Sequence, residues 1–263
     1  MRLLVTNDDG VRAPGIAALA RALVGAGHEV VMAAPADDRS GASAAIGGMH
    51  ADETIRFEQI ELDDLEAATC YSVAASPALI VIAACLGAFG PAPQMVVSGI
   101  NAGANTGRAV LHSGTVGAAL TAANFERSAL AVSLGAGGAF LWSTAADLAV
   151  PALAWLAQEP AGSVVNLNVP NRRPDEVRGV RTAPLASLGT VRASVVEAPG
   201  GLQMVLGADD GDQVGAPGGV QHETDTALVL AGYATVTSLR GISAIERPEA
   251  AAAIEDRLPA RTG

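Results

Sequence analysis

Residues 3–33 constrain the fold more than any other stretch. Leu3, Leu4 and Val5 form a short apolar run that fits a buried strand, and Asn7, Asp8, Asp9 and Gly10 break it. An apolar segment with helical spacing follows from Gly15 to Ala26, then a second strand-like run, His28 to Ala33, closed by Pro35. Strand–helix–strand of this kind begins a parallel sheet with right-handed crossovers. Both strands then end on one edge, where open α/β sheets collect ligands. That places Asp8 and Asp9 beside the loop 36–43, A-D-D-R-S-G-A-S, which carries Arg39, Ser40 and Gly41. Two adjacent carboxylates repel each other and lose hydration there, and a divalent cation relieves both; oxygen ligands suit magnesium, manganese or calcium. Taken alone, N-D-D-G is as readily a turn, and Ser40-Gly41 an ordinary loop.

Composition agrees with that architecture. The 263 residues allow one large α/β domain or a domain with an appendage. Half are hydrophobic and only 3% aromatic, so the core is built from Ala, Val, Leu and Ile, as suits helices packed on a parallel sheet. The net charge of -11 argues against a nucleic-acid polymer as partner, and it obliges any phosphate site to bring local positive charge or a metal. Cys70 and Cys85 are the only cysteines, with no disulfide framework and no C-x-x-C spacing. No signal peptide precedes the first strand, and the longest apolar span, Ala78 to Phe89, is too short to cross a bilayer. The expectation is a reduced, cytoplasmic protein with no membrane association.

Farther along, I-R-F-E-Q-I-E-L and C-Y-S-V read as β-runs with room for a bulge or an edge strand. Ser76-Pro77 fits an N-cap and first helical position, with a helix to about Phe89, and Met95-Val96-Val97 is the next strand. Ser98 to Gly107, S-G-I-N-A-G-A-N-T-G, reads as a loop whose backbone can approach a ligand closely. His112-Ser113-Gly114-Thr115 then opens an apolar helix, where hydroxyls, free N–H groups and the helix dipole together suit phosphate; capping by Ser113 or Thr115 is the plainer role. His112 is a candidate proton donor or a packing residue. Strands are expected at Ser128–Leu134, Val164–Val169 and Tyr233–Leu239, and helices at Trp142–Ala157 and Glu249–Leu258. V-R-A-S-V-V-E-A and L-Q-M-V-L-G, split by Pro199-Gly200-Gly201, read as an apolar hairpin, followed by a loop from Gly207 to Gly219. An apolar hairpin of this kind calls for a partner chain to cover it.

Together, T-N-D-D-G, A-P-x-x-x-R-S-G-A-S, V-S-G-I-N-x-G-x-N-x-G and S-G-T-V-x-A-A resemble the SurE family of survival-protein nucleotidases, in the same order and over nearly the whole chain. N-L-N-V-P at 166–170, T-D at 224–225 and G-Y at 232–233 are similar to its later motifs. The resemblance implies a metal-dependent phosphatase acting on nucleoside 5′- and 3′-monophosphates. It implies one Rossmann-like α/β unit over residues 1–263, a three-layer sandwich with a mainly parallel sheet. Residues 171–263 would hold the β-hairpin and the C-terminal helical extension, which build a homodimer or homotetramer. Carried over by motif, the ligands of one Mg2+ or Mn2+ per subunit are Asp8, Asp9, Ser40 and Asn101, with Asp8 and Asp9 also catalytic. The phosphate cradle is Gly41, Asn105, Ser113, Gly114 and Thr115, and His112 is a possible acid/base group. The chain departs from the family pattern at Ala75–Ile80, His112, Thr121-Ala122 and Thr237-Ser238-Leu239, which bears on the choice of substrate.

The chemistry read from these residues is phosphate release by a metal-activated water, with Asp8 or Asp9 as proton acceptor. Covalent attack by an Asp is a second route. A phosphatase for a specialised non-nucleotide ester and a non-catalytic phosphate-ligand binder are the alternatives. A dinucleotide-dependent oxidoreductase is disfavoured, because the first strand leads into N-D-D-G and not into G-x-G-x-x-G.

Overall fold

The computed structural model describes residues 1–47, 54–187, 191–198, 201–208, 223–247, 249 and 254. Its elements in chain order are β1 (Arg2–Thr6), α1 (Pro14–Gly25), β2 (Glu29–Pro35), β3 (Phe57–Ile60), β4 (Thr69–Val73), α2 (Pro77–Cys85) and β5 (Met95–Ala102). A 3-10 helix (Gly107–His112) leads into α3 (Gly114–Ala123), then β6 (Ser128–Leu134), α4 (Trp142–Leu156) and β7 (Val164–Val169). A 3-10 turn (Pro174–Glu176) precedes β8 (Val180–Thr182), and β9 (Val191–Ala198), β10 (Gly201–Ala208), α5 (Asp225–Leu230) and β11 (Ala234–Leu239) complete the set.

Nine strands form one sheet in the order β3-β4-β2-β1-β5-β6-β7-β11-β8. The six from β4 to β7 are parallel to their neighbours, while β3 is antiparallel to β4 and β11 antiparallel to β7. Alternation along the buried strands makes two cores. Leu3 and Val5 face α1 and α4, packing with Ile16, Leu19, Leu153 and Leu156. Leu4 and Val96 face the other way, with Ile80, Val116 and Ala119 of α2 and α3. The three-layer α/β expectation therefore holds.

The chain steps from β1 outward to β2, β3 and β4, then returns to place β5 on the other side of β1. The crossovers on the two sides of β1 diverge there, leaving a crevice at the carboxyl ends of β1 and β5 where ligands bind in folds of this type. Asp8 and Asp9 follow β1 directly, and Asn101 lies near the end of β5.

Several elements differ from expectation. Ser98–Ala102 continues β5, because Ile100 is fully buried and, after a bulge, Asn101 and Ala102 pair with Ser133 and Leu134. Small residues here serve close strand packing: a Cβ on Gly99 would stand 2.2 Å from the Val132 carbonyl oxygen. α2 stops at Cys85, before a positive-φ Gly87. The late strand begins at Ala234. The two hairpin strands pair antiparallel, Val195 opposite Met204. Pro199-Gly200, most of the expected 207–219 loop and most of the 249–258 helix lie outside the described residues.

Candidate functional site

β1 delivers Asp8 into the crevice almost wholly buried, at 3% exposure. Asn7 turns the chain behind it, its side chain accepting from the Gly10 N–H at 3.2 Å and donating to the Gly10 carbonyl at 3.0 Å. α3 then brings its first turn onto the Asp8 carboxyl. The Thr115 hydroxyl donates to Asp8 Oδ1 at 2.5 Å and stands 3.4 Å from Asn101 Oδ1. Position 114 must be glycine for this approach, since a Cβ there would lie 2.7 Å from Asp8 Oδ2.

The acid pair is held in its charged form only at a cost. Burial raises the Asp8 pKa, against hydrogen bonds from the Thr115 hydroxyl and from backbone that includes Gly114. Asp9 is pushed up to about 6, first by burial and then by the negative charges of Asp8 and Asp38, with a backbone bond from Ala102 opposing. Two desolvated carboxyls repelling each other are the environment that a cation stabilises.

The loop after β2 is tied into the same crevice. The Arg39 N–H donates to the Asp8 carbonyl at 2.7 Å. The Ser40 hydroxyl and N–H both donate to Asp38 Oδ1, at 2.6 and 2.7 Å, and these bonds hold the Asp38 carboxyl below its ordinary value. Farther on, Ser43 Oγ donates to the Leu111 carbonyl at 2.6 Å, and Gly117 of α3 leaves room for the Ser43 backbone, whose carbonyl oxygen would lie 2.6 Å from a Cβ. Gly41 sits in this exposed loop at φ +79°, so its backbone conformation alone favours glycine.

Ser113, not Thr115, caps α3: its Oγ accepts from the Val116 N–H at 3.1 Å. The Ser113 N–H donates to Val110 and that of Gly114 to the Asp8 carboxyl, which leaves the Thr115 N–H of this turn for an anion. Asn101 Nδ2 donates to the Gly103 carbonyl at 2.7 Å. Asn105 is built into the sheet edge. Its N–H donates to Asn168 Oδ1, its side-chain amide to Ser133 Oγ, and its carbonyl accepts from both Asn166 and Asn168. His112 ends the 3-10 helix exposed, and no hydrogen bond joins it to Asp8 or Asp9.

Asp8, Asp9, Asn101, Gly114 and Thr115 thus converge, with Ser40 and Gly41 on the adjoining loop and Asn105 two strands over. Among the described residues no three His, Cys, Asp or Glu side chains cluster to hold a metal unaided. A cation here therefore needs neutral oxygens beside the two carboxylates, and Ser40 Oγ and Asn101 Oδ1 are of the right kind. An all-oxygen set with two carboxylates fits magnesium or manganese. Sequence reasoning missed Asp38, whose signal was an acid two residues before a serine in a loop, an Asx-turn pattern. It also gave no role to Asn166, Asn168 and Asp225 within the motifs that it noticed.

The survival protein SurE family model matches residues 3–192. The chain is 43% identical over 191 residues to a protein named 5′-nucleotidase SurE from Xanthomonas axonopodis pv. citri, covering 71% of this chain and 70% of that protein. It is 35% identical over 242 residues to the 5′-nucleotidase SurE of Aeromonas hydrophila subsp. hydrophila, covering 91% and 92%. The crystal structure of the Sure protein from Aquifex aeolicus superimposes with a TM-score of 0.75 at 25% identity, over 97% of this chain and 99% of that one.

Proposed function

This chain belongs to the SurE family, and on that premise we propose that it is a divalent-metal-dependent phosphomonoesterase releasing phosphate from nucleoside 5′- or 3′-monophosphates. The observation that carries the reading is the Asp8 carboxyl, buried at the sheet's switch point and locked under the first turn of α3 by Thr115.

In this reading Asp8, Asp9, Ser40 and Asn101 hold one Mg2+ or Mn2+ per subunit. When bound, such an ion lowers the pKa of a coordinated water and offsets charge on the phosphoryl group. The chain's own residues do the rest. Asp9, the less buried acid, accepts the proton of the attacking water. The Thr115 N–H and the positive end of α3 receive an equatorial phosphate oxygen, where charge grows in the transition state. Gly41 leaves the loop backbone free to close on the phosphate, and Asn105 fixes the far wall. In this reading His112, exposed beside Ser113, would protonate the leaving oxygen of a bound ester.

The same proposal includes one SurE-like unit over 1–263, a homodimer or homotetramer built through the hairpin and the C-terminal segment, and a cytoplasmic location. Free Cys70 and Cys85 support the last. No helix among the described residues is long and apolar enough to cross a membrane.

The test is phosphate release from a panel of nucleoside monophosphates, sugar phosphates and an aryl phosphate, with Mg2+ and Mn2+ in turn. Metal-dependent release, highest on nucleotides, is the expected result. No release from any ester overturns the reading.

A further inference from the structure

The deepest carboxyl in the described structure lies outside the crevice just described. Asp225, at the start of α5, is 0% exposed, and among the described residues its carboxyl bonds mainly backbone N–H groups, with one long contact of 3.5 Å from the Thr226 hydroxyl. Its Oδ2 accepts from the Gly107 N–H at 2.8 Å. Its Oδ1 accepts from the Ala186 N–H at 2.8 Å and from the Thr226 N–H at 2.7 Å. Its own N–H donates to the Pro184 carbonyl at 3.0 Å, and the Arg108 N–H donates to the Ala186 carbonyl at 3.1 Å. One side chain therefore joins three segments that are far apart in sequence: 107–108, 184–186 and α5.

Gly107 is where the chain leaves the sheet edge and enters the 3-10 helix that ends at His112, just before Ser113. Two residues earlier Asn105 is fixed by Asn166, Asn168 and Ser133. The segment from Arg108 to Leu111 is mostly exposed, so little apolar packing sets its path. Between the Asn105 anchor and the Ser113 cap, the Asp225 knot and the Ser43–Leu111 bond hold the segment that leads into α3, whose first turn then meets Asp8 through Thr115. Burying a carboxyl is destabilising unless its hydrogen bonds are met, and those of Asp225 are.

We propose that Asp225 is a positioning residue for phosphate: it fixes the Gly107–Ser113 segment and thereby the Ser113-Gly114-Thr115 turn. This rests on the phosphomonoesterase reading for its substrate. It commits further, because the metal and phosphate halves of the site become separable. The path of β1, which leads into Asp8 and Asp9, is set by its sheet neighbours on both sides and not by Asp225; only the turn that meets Asp8 through Thr115 is reached from Asp225. The N–H that receives phosphate lies in that turn.

The experiment compares wild type with Asp225→Asn, which keeps size and one acceptor but turns an N–H donor toward either Gly107 or Ala186. Three quantities are read on folded protein: Mg2+ affinity by calorimetry, inhibition by inorganic phosphate, and kcat and KM on a nucleoside monophosphate. The expected result is Mg2+ affinity within twofold of wild type, KM and the phosphate inhibition constant raised about tenfold, and a smaller fall in kcat. Unchanged KM and phosphate inhibition in a variant that only melts lower overturns the proposal, as does an equal loss of Mg2+ affinity. If Asp225→Asn does not fold, Arg108→Pro removes the Arg108–Ala186 bond at an exposed position where a first-turn proline is tolerated. Arg108→Gln controls for the lost charge. Raised KM in the proline variant alone is expected; equal KM in both overturns the proposal. Phosphate binding to metal-loaded wild type, followed by calorimetry, separates this outcome from failure of the enzyme reading.

Discussion

Thr115 gives its hydroxyl hydrogen to Asp8 Oδ1, so the first turn of α3 and the end of β1 share a buried 2.5 Å bond across 107 residues of sequence. Replacing Thr115 by Val keeps the volume and removes that bond. Stability should fall by about 1 kcal/mol, and phosphate release should fall well beyond what the melting curve explains, because the Asp8 carboxyl is freed to rotate. Ser113→Ala loses the cap instead, at a similar cost of about 1 kcal/mol, with Mg2+ affinity unchanged. Melting curves beside calorimetry separate the two. Equal Mg2+ affinity in both variants would remove Thr115 from the metal side of the site.

Asp9→Asn takes one charge from a repelling pair at nearly constant shape. Metal binding and turnover should collapse while the metal-free protein melts no lower than wild type, and even a little higher. Melting in chelator and titration with Mn2+ check both halves. Wild-type turnover in this variant would reduce N-D-D-G to a turn.

The pH response of the metal-free protein has a defined sign. Asp9 titrates near 6 when folded against an ordinary value of 3.8, so the native state holds a proton that the unfolded chain has released between those values. Stability from this group is present below about pH 4 and lost as pH rises through 6. In chelator, Tm should therefore decline from pH 5 to pH 7, and Asp9→Asn should flatten that slope. With saturating Mg2+ the slope should reverse, because the ion favours the deprotonated pair. A Tm that rises with pH in chelator contradicts the assignment.

Gly114→Ala places a methyl group 2.7 Å from the Asp8 carboxyl, so helix or carboxyl must move. A loss of about 1–3 kcal/mol is expected, together with loss of phosphate release. Gly25→Ala, whose Cβ meets nothing within 4 Å, is the control. Comparable activity in the two variants would show that the close approach is dispensable.

Light scattering at micromolar concentration should give a dimer or a tetramer. Deleting Val191–Ala208 should yield a monomer that keeps the β1–β7 sheet by circular dichroism. A wild-type monomer would overturn this.

Elements that bury an apolar stripe on one or both faces were legible in the sequence: β6 and β7 match expectation to the residue, and Ser76 caps α2 as its Ser-Pro pattern implies. β8 was not legible, because its three residues are exposed and carry no period, and six-residue α5 is too short for a stripe. The Ser98–Gly107 stretch misled for a physical reason. Glycine and small residues mark close backbone approach in a strand as well as in a loop, and only the burial of Ile100 separates the two. In the site, the acid pair was legible because adjacent carboxylates at a strand end are chemically conspicuous. Asp38 left only a faint local signal, an acid two residues before a serine, whereas Asp225 bonds the Gly107 and Ala186 N–H groups, which only the tertiary fold brings to it.

The placement of β1 in the interior of a nine-stranded sheet bears on how the protein loses activity with age and heat. Asp8 is welded to a strand with hydrogen-bonded neighbours on both sides, and such strands open only with the whole sheet. If Asp8 carries the chemistry as proposed, catalytic capacity and global fold share one lifetime. Inactivation on warming should run as a single first-order decay at the global unfolding rate, with no earlier phase in which an intact fold has already lost its chemistry.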